Sequence, residues 1–333
     1  MLSLLAFALA GIAVVSAPAA ILSGATGSHD PSRMILCDGK YYIYSTGGGM
    51  KFSPDGINWS NGPSPFATGA PGTGGRPGRG TPPASAKAVM PANQGIWAPD
   101  VIFYNHQYYL YYSVAAAKGI DKCGIGLLTS PTLDPSALGY QWTDAGMVIV
   151  TDDKVEKKSA IDPCPFLDAS NNLWLSWGSG YGNGATWDDP TIVISKLDNA
   201  TGLRSTNDTT IYPVAPGHIE ASYVHYRAGY YYALWNDGGC CNGTNSSYRI
   251  HVARSALPTG PYVNKVGKEN GNEIFMTSIK DKQVYGPGHM GIASEPGMER
   301  FSFHYYNASG RPVLGIRTLV WGADGWPAVG EEK

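Results

Sequence analysis

One pattern recurs five times along the chain, and a repeat of this kind constrains the fold more than any isolated motif does. Each copy contains a short segment rich in Tyr, Trp or Phe, and successive copies begin about 57 to 71 residues apart. The segments are YYIYST from Tyr41, YYLYYS from Tyr108, LWLSWG from Leu173, YYYALWN from Tyr230 and FSFHYY from Phe301. Turn signals such as Asp38-Gly39 and Ala228-Gly229 stand before these segments, which predicts that each is the second strand of a hairpin.

The elements around each aromatic strand keep the same order. A polar motif begins an apolar strand, the turn and the aromatic strand follow, and runs such as CGIGLLTS and YRIHVARS predict a third strand. Pieces such as YQWTDAG suit a fourth, outer strand. Four-stranded sheets repeated around an axis form a β-propeller. We therefore predict an all-β fold, a five-bladed β-propeller with four antiparallel strands per blade; two β-sandwich domains would not explain the even recurrence.

Composition agrees with a strand-rich fold and narrows the class of partner. The chain of 333 residues has 43 Gly and 24 Pro, and 15% of its residues are charged, against about 25% in an average globular protein. Its formal net charge is −2, so no overall positive field attracts nucleic acid or an anionic membrane. A neutral partner fits better.

The amino-terminal segment predicts export. Residues 1–20 are an apolar run that ends in small residues, as in a signal peptide, which predicts a secreted, extracellular protein without membrane attachment after cleavage. A membrane anchor is the alternative, because apolar character continues to Leu22. Six N-x-S/T sequons are compatible with a glycoprotein. Residues 21–333 are predicted to form one propeller domain, in which 61–94 are a long Gly- and Pro-rich surface loop.

The five cysteines lack CxxC spacing, which argues against a zinc or redox motif. The adjacent Cys240 and Cys241 are either a vicinal disulfide or two reduced thiols; the sequence leaves both open.

Polar residues recur at the predicted start of each innermost strand, where the blades of a propeller converge. These residues are Asp30, Asp100, Asp162, Glu220 and His289. Like charges in one pocket oppose folding, so such a cluster indicates a functional site, either a calcium cage or paired carboxylates for glycoside hydrolysis. Trp97 stands three residues before Asp100 and is the candidate platform for a sugar ring; a Trp packed between blades is the alternative.

Several motifs together resemble glycoside hydrolase family 43, especially its secreted arabinan endo-1,5-α-L-arabinanases. They are SHDPS, IWAPD, AIDPCPF, HIEASYV, CCNGTNSSYRIHVARS, YGPGHMGI and GRPVLGIR. The resemblance implies a five-bladed propeller that hydrolyses with inversion of configuration. It further implies Asp30 as the general base, Glu220 as the general acid and Asp162 as the residue that raises the pKa of the acid and orients it. Asp100 and Trp97 are assigned to substrate binding.

The resemblance also implies that His289 helps to hold calcium or another ion on the propeller axis; no organic cofactor is expected. The expected partner is arabinan or a related cell-wall polysaccharide, and the expected state is a monomer. Departures from the family pattern occur at Asn242, at WGSGYGNGATWDDP after the third aromatic strand, and in 61–94. An exo-acting arabinofuranosidase or a β-xylosidase therefore stays open as an alternative, and a carbohydrate-binding propeller without catalysis is the alternative from another class.

Overall fold

The computed structural model describes residues 21–66, 80–91, 95–115, 121–180 and 182–330. The predicted signal peptide, residues 1–20, lies outside the described residues. Within them the chain forms five sheets, and it is a five-bladed β-propeller, as the aromatic repeat predicts. No helix among the described segments is long and apolar enough to cross a membrane.

Each blade is a meander in which successive strands pair antiparallel, from the innermost strand outward. Blade 1 comprises β2 Ile35–Cys37, β3 Lys40–Ser45, β4 Gly49–Ser53 and β5 Asn58–Gly62. Blade 2 comprises β6 Gly95–Tyr104, β7 Gln107–Ala115, β8 Lys122–Ser130 and β9 Thr143–Asp152. Blade 3 comprises β10 Cys164–Leu167, β11 Leu173–Trp177, β12 Pro190–Lys196 and β13 Ile211–Pro216. Blade 4 comprises β14 Glu220–Arg227, β15 Tyr230–Asp237, β16 Arg249–Ser255 and β17 Glu273–Met276. Blade 5 comprises β18 Tyr285–Glu295, β19 Met298–Tyr306, β20 Pro312–Trp321 and β21 Pro327–Val329.

The two ends of the described chain meet, which closes the ring of blades. The short strand β1, Ser23–Gly24, adds to blade 1 as a fifth strand parallel to β5. Next to it, Gly27 forms a bridge with Val313 of blade 5, and the Leu314 amide donates to the Thr26 carbonyl at 2.8 Å. These contacts join the first and last blades, so neither edge at the closure stays unpaired.

The aromatic segments are the second strands of the blades, as predicted, and they supply much of the core. Their rings are fully buried between neighbouring sheets; examples are Tyr42, Tyr111, Trp177, Tyr232 and Phe301. The turns before them also match the prediction. Asp38 and Gly39 both have positive φ, at 48° and 76°, the backbone of the two-residue turn that joins twisted antiparallel strands.

The 61–94 segment is not entirely irregular, contrary to the prediction. Helix α1 spans Ala84–Val89, and its residue Ala86 is completely buried in the core between blades 1 and 2. The sequence ASAKAV has strong helix formers, and local propensity prevails once one face can be buried. Residues 67–79 and 92–94 lie outside the described residues. Two short 3-10 helices, Gly243–Asn245 and Lys280–Lys282, complete the described helical structure.

Candidate active site

One left-handed residue stands near the start of the innermost strand of every blade. These residues are Asp30, Ala98, Asp162, Ala221 and His289, with φ between 40° and 58°. In three blades a shift of register accompanies it, for example between Trp97 and Asp100. Such a bulge re-aims the side chains around it. The predicted equivalence of five polar residues is therefore wrong in two blades: Asp100 lies two residues after the left-handed position, and Glu220 one residue before it.

Asp30 is surrounded by imidazole rings and a hydroxyl. Its Oδ2 accepts a hydrogen bond from Thr46 Oγ1 at 2.6 Å and lies 2.7 Å from His29 Nδ1. Its Oδ1 lies 3.4 Å from His304 Nδ1 and 3.6 Å from His289 Nδ1. Burial by itself would raise the pKa of Asp30, but the adjacent His29 overcomes this effect, and the pKa lies well below its usual value. Asp30 is thus held as a carboxylate.

The pKa of His29 is raised, whereas that of Asp30 is lowered. Burial lowers the pKa of His29, but the Asp30 carboxylate more than compensates, so the pKa is raised. Burial and the neighbouring His29 charge together keep the pKa of His304 well below its usual value, although His304 stacks on His29 with ring centroids 4.1 Å apart. Of these two stacked rings, the structure therefore favours the positive charge on His29, beside Asp30.

Asp162 and Glu220 lie on neighbouring blades and share a backbone contact. The Asp162 amide donates to Ser113 Oγ at 2.9 Å, and Asp162 Oδ2 accepts a hydrogen bond from the Ala221 amide at 2.8 Å. Glu220 accepts hydrogen bonds from Ser179 Oγ at 3.2 Å on Oε2 and from Tyr248 at 3.0 Å on Oε1. The Glu220 carboxyl group is therefore oriented from two blades, and the Asp162 carboxylate is oriented by the backbone of blade 4.

The Tyr248 hydroxyl shows that the three predicted catalytic acids converge. Burial raises the pKa of Tyr248 well above its usual value, and the charges of Glu220, Asp162 and Asp30 raise it further. Charges act strongly only over short distances. The contacts agree: Tyr248 donates to Glu220, its ring stacks on His304 with centroids 6.1 Å apart, and His304 Nδ1 lies 3.4 Å from Asp30 Oδ1. Because the Ala221 amide next to Glu220 donates to Asp162, the structure brings the three acids together.

Asp100 also lies in an innermost strand, β6, but its carboxylate pairs with Arg33. Arg33 donates to both Asp100 oxygens, with Nη2 to Oδ2 at 2.5 Å and Nε to Oδ1 at 3.2 Å. The guanidinium also donates to the Pro165 carbonyl at 2.5 Å and lies 5.1 Å from the Tyr223 ring centroid. Asp100 is thus a member of a buried ion pair that ties blade 1 to blade 2.

Trp97 is partly exposed at the start of blade 2. It packs against the buried side chains of Ala115, Cys123 and Ile161. One part of its ring thus belongs to the packing between blades 2 and 3, and the exposed part faces away from that cluster. Its predicted role as a sugar platform stays a prediction.

The groups around His289 do not form an oxygen-rich cage. His29, Asp30 and His304 bring ligand atoms within 4.8 Å of one another, which amounts to two imidazoles and one carboxylate. Calcium takes about six to eight oxygen ligands. The described side chains thus do not fit a calcium site built from protein ligands alone. The predicted ion beside His289 stays a prediction.

The residues that hold the acids in place were not predicted from the sequence. They are His29, Thr46, Ser113, Ser179 and Tyr248. A signal existed only for His29, which precedes Asp30 directly in SHDPS. The other four lie in strands or loops of different blades, where their distance from the acids along the chain conceals the contact.

Cys240 and Cys241 form a vicinal disulfide, one of the two possibilities that the sequence leaves open. The Cys241 amide donates to the Tyr306 hydroxyl at 2.8 Å, and that hydroxyl lies 2.9 Å from His29 Nε2. Cys37, Cys123 and Cys164 are buried thiols. The disulfide loop thus borders the residues that surround Asp30.

A propeller that gathers three carboxylates around one axial hydroxyl has the composition and arrangement of a glycoside hydrolase. The model of the family "Glycosyl hydrolases family 43" matches residues 26–327. The chain belongs to this family, and it is a glycosidase that hydrolyses O-glycosyl bonds.

Two curated relatives extend over nearly the whole chain. An extracellular exo-α-(1→5)-L-arabinofuranosidase of Cellvibrio japonicus is 30% identical and covers 98% of this chain and 92% of its own length. An extracellular endo-α-(1→5)-L-arabinanase of Bacillus subtilis is 33% identical and covers 90% of this chain and 87% of its own length. The chain is thus similar to both endo- and exo-acting enzymes.

Two solved structures share the fold over its full extent. The α-L-arabinanase of Cellvibrio cellulosa, determined with arabinohexaose, has a TM-score of 0.79 at 28% identity and covers 91% of this chain and 95% of its own. The endo-arabinanase of Bacillus licheniformis has a TM-score of 0.77 at 31% identity and covers 93% of this chain and 99% of its own.

Proposed function

We propose that this chain is a secreted inverting glycosidase that cleaves α-1,5-L-arabinofuranosidic bonds within arabinan. The observation that carries the proposal is a set of contacts that joins Glu220 to Asp30 through Tyr248 and His304, and joins Asp162 to the amide of Ala221, next to Glu220. Inverting hydrolysis needs one ionised carboxylate and one protonated carboxyl group on opposite sides of the scissile bond.

Asp30 serves as the general base in this reaction. It is held ionised beside His29, and the Thr46 hydroxyl occupies one direction on Oδ2. A water between Asp30 and the anomeric carbon loses its proton to the carboxylate as it attacks.

Glu220 serves as the general acid. The donors Ser179 and Tyr248 each contact a different carboxyl oxygen, which restricts rotation of the group. Its proton passes to the glycosidic oxygen as the bond to the anomeric carbon breaks. Asp162 accepts from the amide next to Glu220 and so fixes the position of the acid relative to blade 3.

Arabinan as the substrate is supported by the relatives, whose names specify α-1,5-linked arabinose, and by the neighbouring structure that contains arabinohexaose. Export is supported by the apolar residues 1–20 and by the extracellular relatives. The exo-acting alternative has a specific basis, since one relative of similar identity acts in that way.

The experiment is product sizing after incubation of the purified protein with linear arabinan, debranched arabinan, arabinoxylan and galactan. Endo action on arabinan gives a range of oligosaccharides early in the reaction, and proton NMR shows the inverted anomer first. One product of constant size from the start would establish exo action instead. Release of xylose alone would reject arabinan as the substrate, and tight binding of arabino-oligosaccharides without turnover would establish a carbohydrate-binding propeller.

A further inference from the structure

Trp187 is an exposed aromatic side chain on the same face of the propeller as the acids. Its exposed fraction is 67%. It lies in the segment between β11 and β12. The end of β11, where this segment begins, lies beside the start of β10, because Ser176 pairs with Cys164. Because Asp162 immediately precedes β10, the Trp187 segment belongs to the end of the blades that carries the carboxylates.

The indole is held in one position although it faces solvent. Its ring meets His218 edge to face, with centroids 4.9 Å apart and planes at 85°. Gly217 lies directly beneath it, and a Cβ at that glycine would come within 3.1 Å of the indole. A fixed exposed Trp loses little conformational entropy when a ligand covers it, so it is suited to binding.

Asp189 stabilises the segment that carries Trp187. Its Oδ2 accepts hydrogen bonds from the amide and the hydroxyl of Thr186, at 2.8 and 2.9 Å. Lys157 Nζ donates to Oδ1 at 2.8 Å, and the Gly217 amide donates to the Asp189 carbonyl at 3.1 Å. The segment is thus tied on both sides, to the loop before β10 and to the loop before β14.

A second set of hydrogen bonds connects the surroundings of Trp187 to Glu220. His218 Nδ1 donates to the Gly180 carbonyl at 2.8 Å, and the Gly180 amide donates to the Ile219 carbonyl at 2.9 Å. Ser179, the next residue back along the chain, donates to Glu220. The aromatic platform and the general acid therefore belong to one rigid part of the rim.

We propose that Trp187 forms a subsite for a furanose ring on the leaving-group side of the scissile bond. The inference rests on the proposed function. The general acid stands beside the leaving oxygen, so a sugar bound on the Glu220 side of the cleft belongs to the departing fragment. The apolar face of a furanose packs on the indole, and its hydroxyl groups stay in water, which is compatible with a neutral polysaccharide.

Among the described residues, the other exposed aromatic rings do not share this location. Phe103 is 50% exposed, but it lies next to the turn between β6 and β7, at the opposite end of the blades. Tyr226 and Tyr230 flank the corresponding turn of blade 4. Phe103 thus provides a matched control, since it is an exposed aromatic residue outside the proposed catalytic and binding groups.

The test uses arabinohexaose labelled at its reducing end and compares the wild type with Trp187→Ala, Trp187→Phe and Phe103→Ala. We expect Trp187→Ala to lower kcat/KM for the hexaose about tenfold, which corresponds to about 1.4 kcal/mol of transition-state binding. We also expect its cleavage position to move toward the reducing end, because the departing fragment loses a binding contact. Trp187→Phe should restore most of the activity and the original cleavage position. Phe103→Ala should match the wild type in both.

The outcomes separate this inference from the proposed function. If the wild type does not cleave the hexaose at all, the proposed function fails. If the wild type cleaves it and Trp187→Ala has the wild-type rate and cleavage position, the subsite is rejected and the function stands. A lower rate at an unchanged cleavage position, together with a lower melting temperature, would assign Trp187 a structural role and also reject the subsite.

Discussion

The Ala221 amide donates a hydrogen bond of 2.8 Å to Asp162 Oδ2 and thereby joins two neighbouring blades beside Glu220. Ala221 is left-handed, with φ at 58°, and this conformation directs its amide toward blade 3. The contact gives Asp162 a positional role that sequence patterns cannot display. A carboxylate that accepts a buried backbone hydrogen bond also avoids leaving that amide unsatisfied.

Replacement of Glu220 tests the assignment of the general acid. Glu220→Gln keeps the shape and the acceptor oxygen but has no proton to donate, so we expect kcat on arabinan to fall by about 100- to 10,000-fold. The melting temperature and circular dichroism should match the wild type. Glu269→Gln, which alters an exposed carboxylate, is the control and should keep full activity. Normal turnover by Glu220→Gln would refute the assignment.

Replacement of His29 changes the pH dependence of catalysis. Asp30 must be ionised to act as base, and its lowered pKa keeps it ionised as the solution becomes acidic. Without the His29 charge, burial raises the Asp30 pKa, so the acidic limb of kcat/KM should move to higher pH in His29→Gln. Profiles measured between about pH 3 and about pH 8 would show this. His106→Gln, in an exposed turn of blade 2, is the control. An unshifted acidic limb in His29→Gln would contradict the proposed pairing.

Replacement of Asp100 distinguishes a structural ion pair from a substrate contact. Asp100→Asn leaves Arg33 as an uncompensated buried cation, which we expect to lower the free energy of unfolding by about 3 kcal/mol. The KM of the folded fraction should change little, because both oxygens of Asp100 contact Arg33. Asp324→Asn breaks an exposed pair with Lys265 and is the control, which should lower the free energy of unfolding far less than Asp100→Asn does. A raised KM with unchanged stability would instead support the prediction that Asp100 binds the substrate.

Glu299 predicts a pH-dependent contribution to stability far from catalysis. Burial would raise its pKa, but His225 and Trp321 donate to the carboxylate and lower the pKa to about 2. The folded state is stabilised by the ionised form above the unfolded pKa of about 4.3, and this gain is lost as the pH falls toward 2. Glu299→Gln should therefore cost about 2 kcal/mol at neutral pH, and the difference from wild type should shrink below about pH 4. Chemical denaturation at several pH values measures this, and a difference that is constant with pH would contradict it.

Much of the architecture follows from local pattern. The alternation and turn chemistry around Tyr41 and Tyr230 predict hairpins because the two-residue turn and the period of a strand are properties of a few neighbouring residues. Helix α1 was missed because Pro and Gly around it obscure a six-residue segment whose stability comes from burial of Ala86. Its formation depends on contacts with distant strands.

The sequence by itself determined the repeat and the number of blades, and it selected Asp30, Asp162 and Glu220 as candidate acids, because these depend on periodicity and on short motifs. Only the tertiary structure decided that Asp100 pairs with Arg33, that His29 and Thr46 hold Asp30, and that Trp187 stands on the rim near Glu220. The physical reason is that side-chain direction at a strand start depends on the bulge and the left-handed residue in each blade. Asp100 lies two residues after the left-handed Ala98 and pairs with Arg33, whereas Glu220 lies one residue before the left-handed Ala221 and stays with the other acids, and residue spacing alone does not reveal this difference.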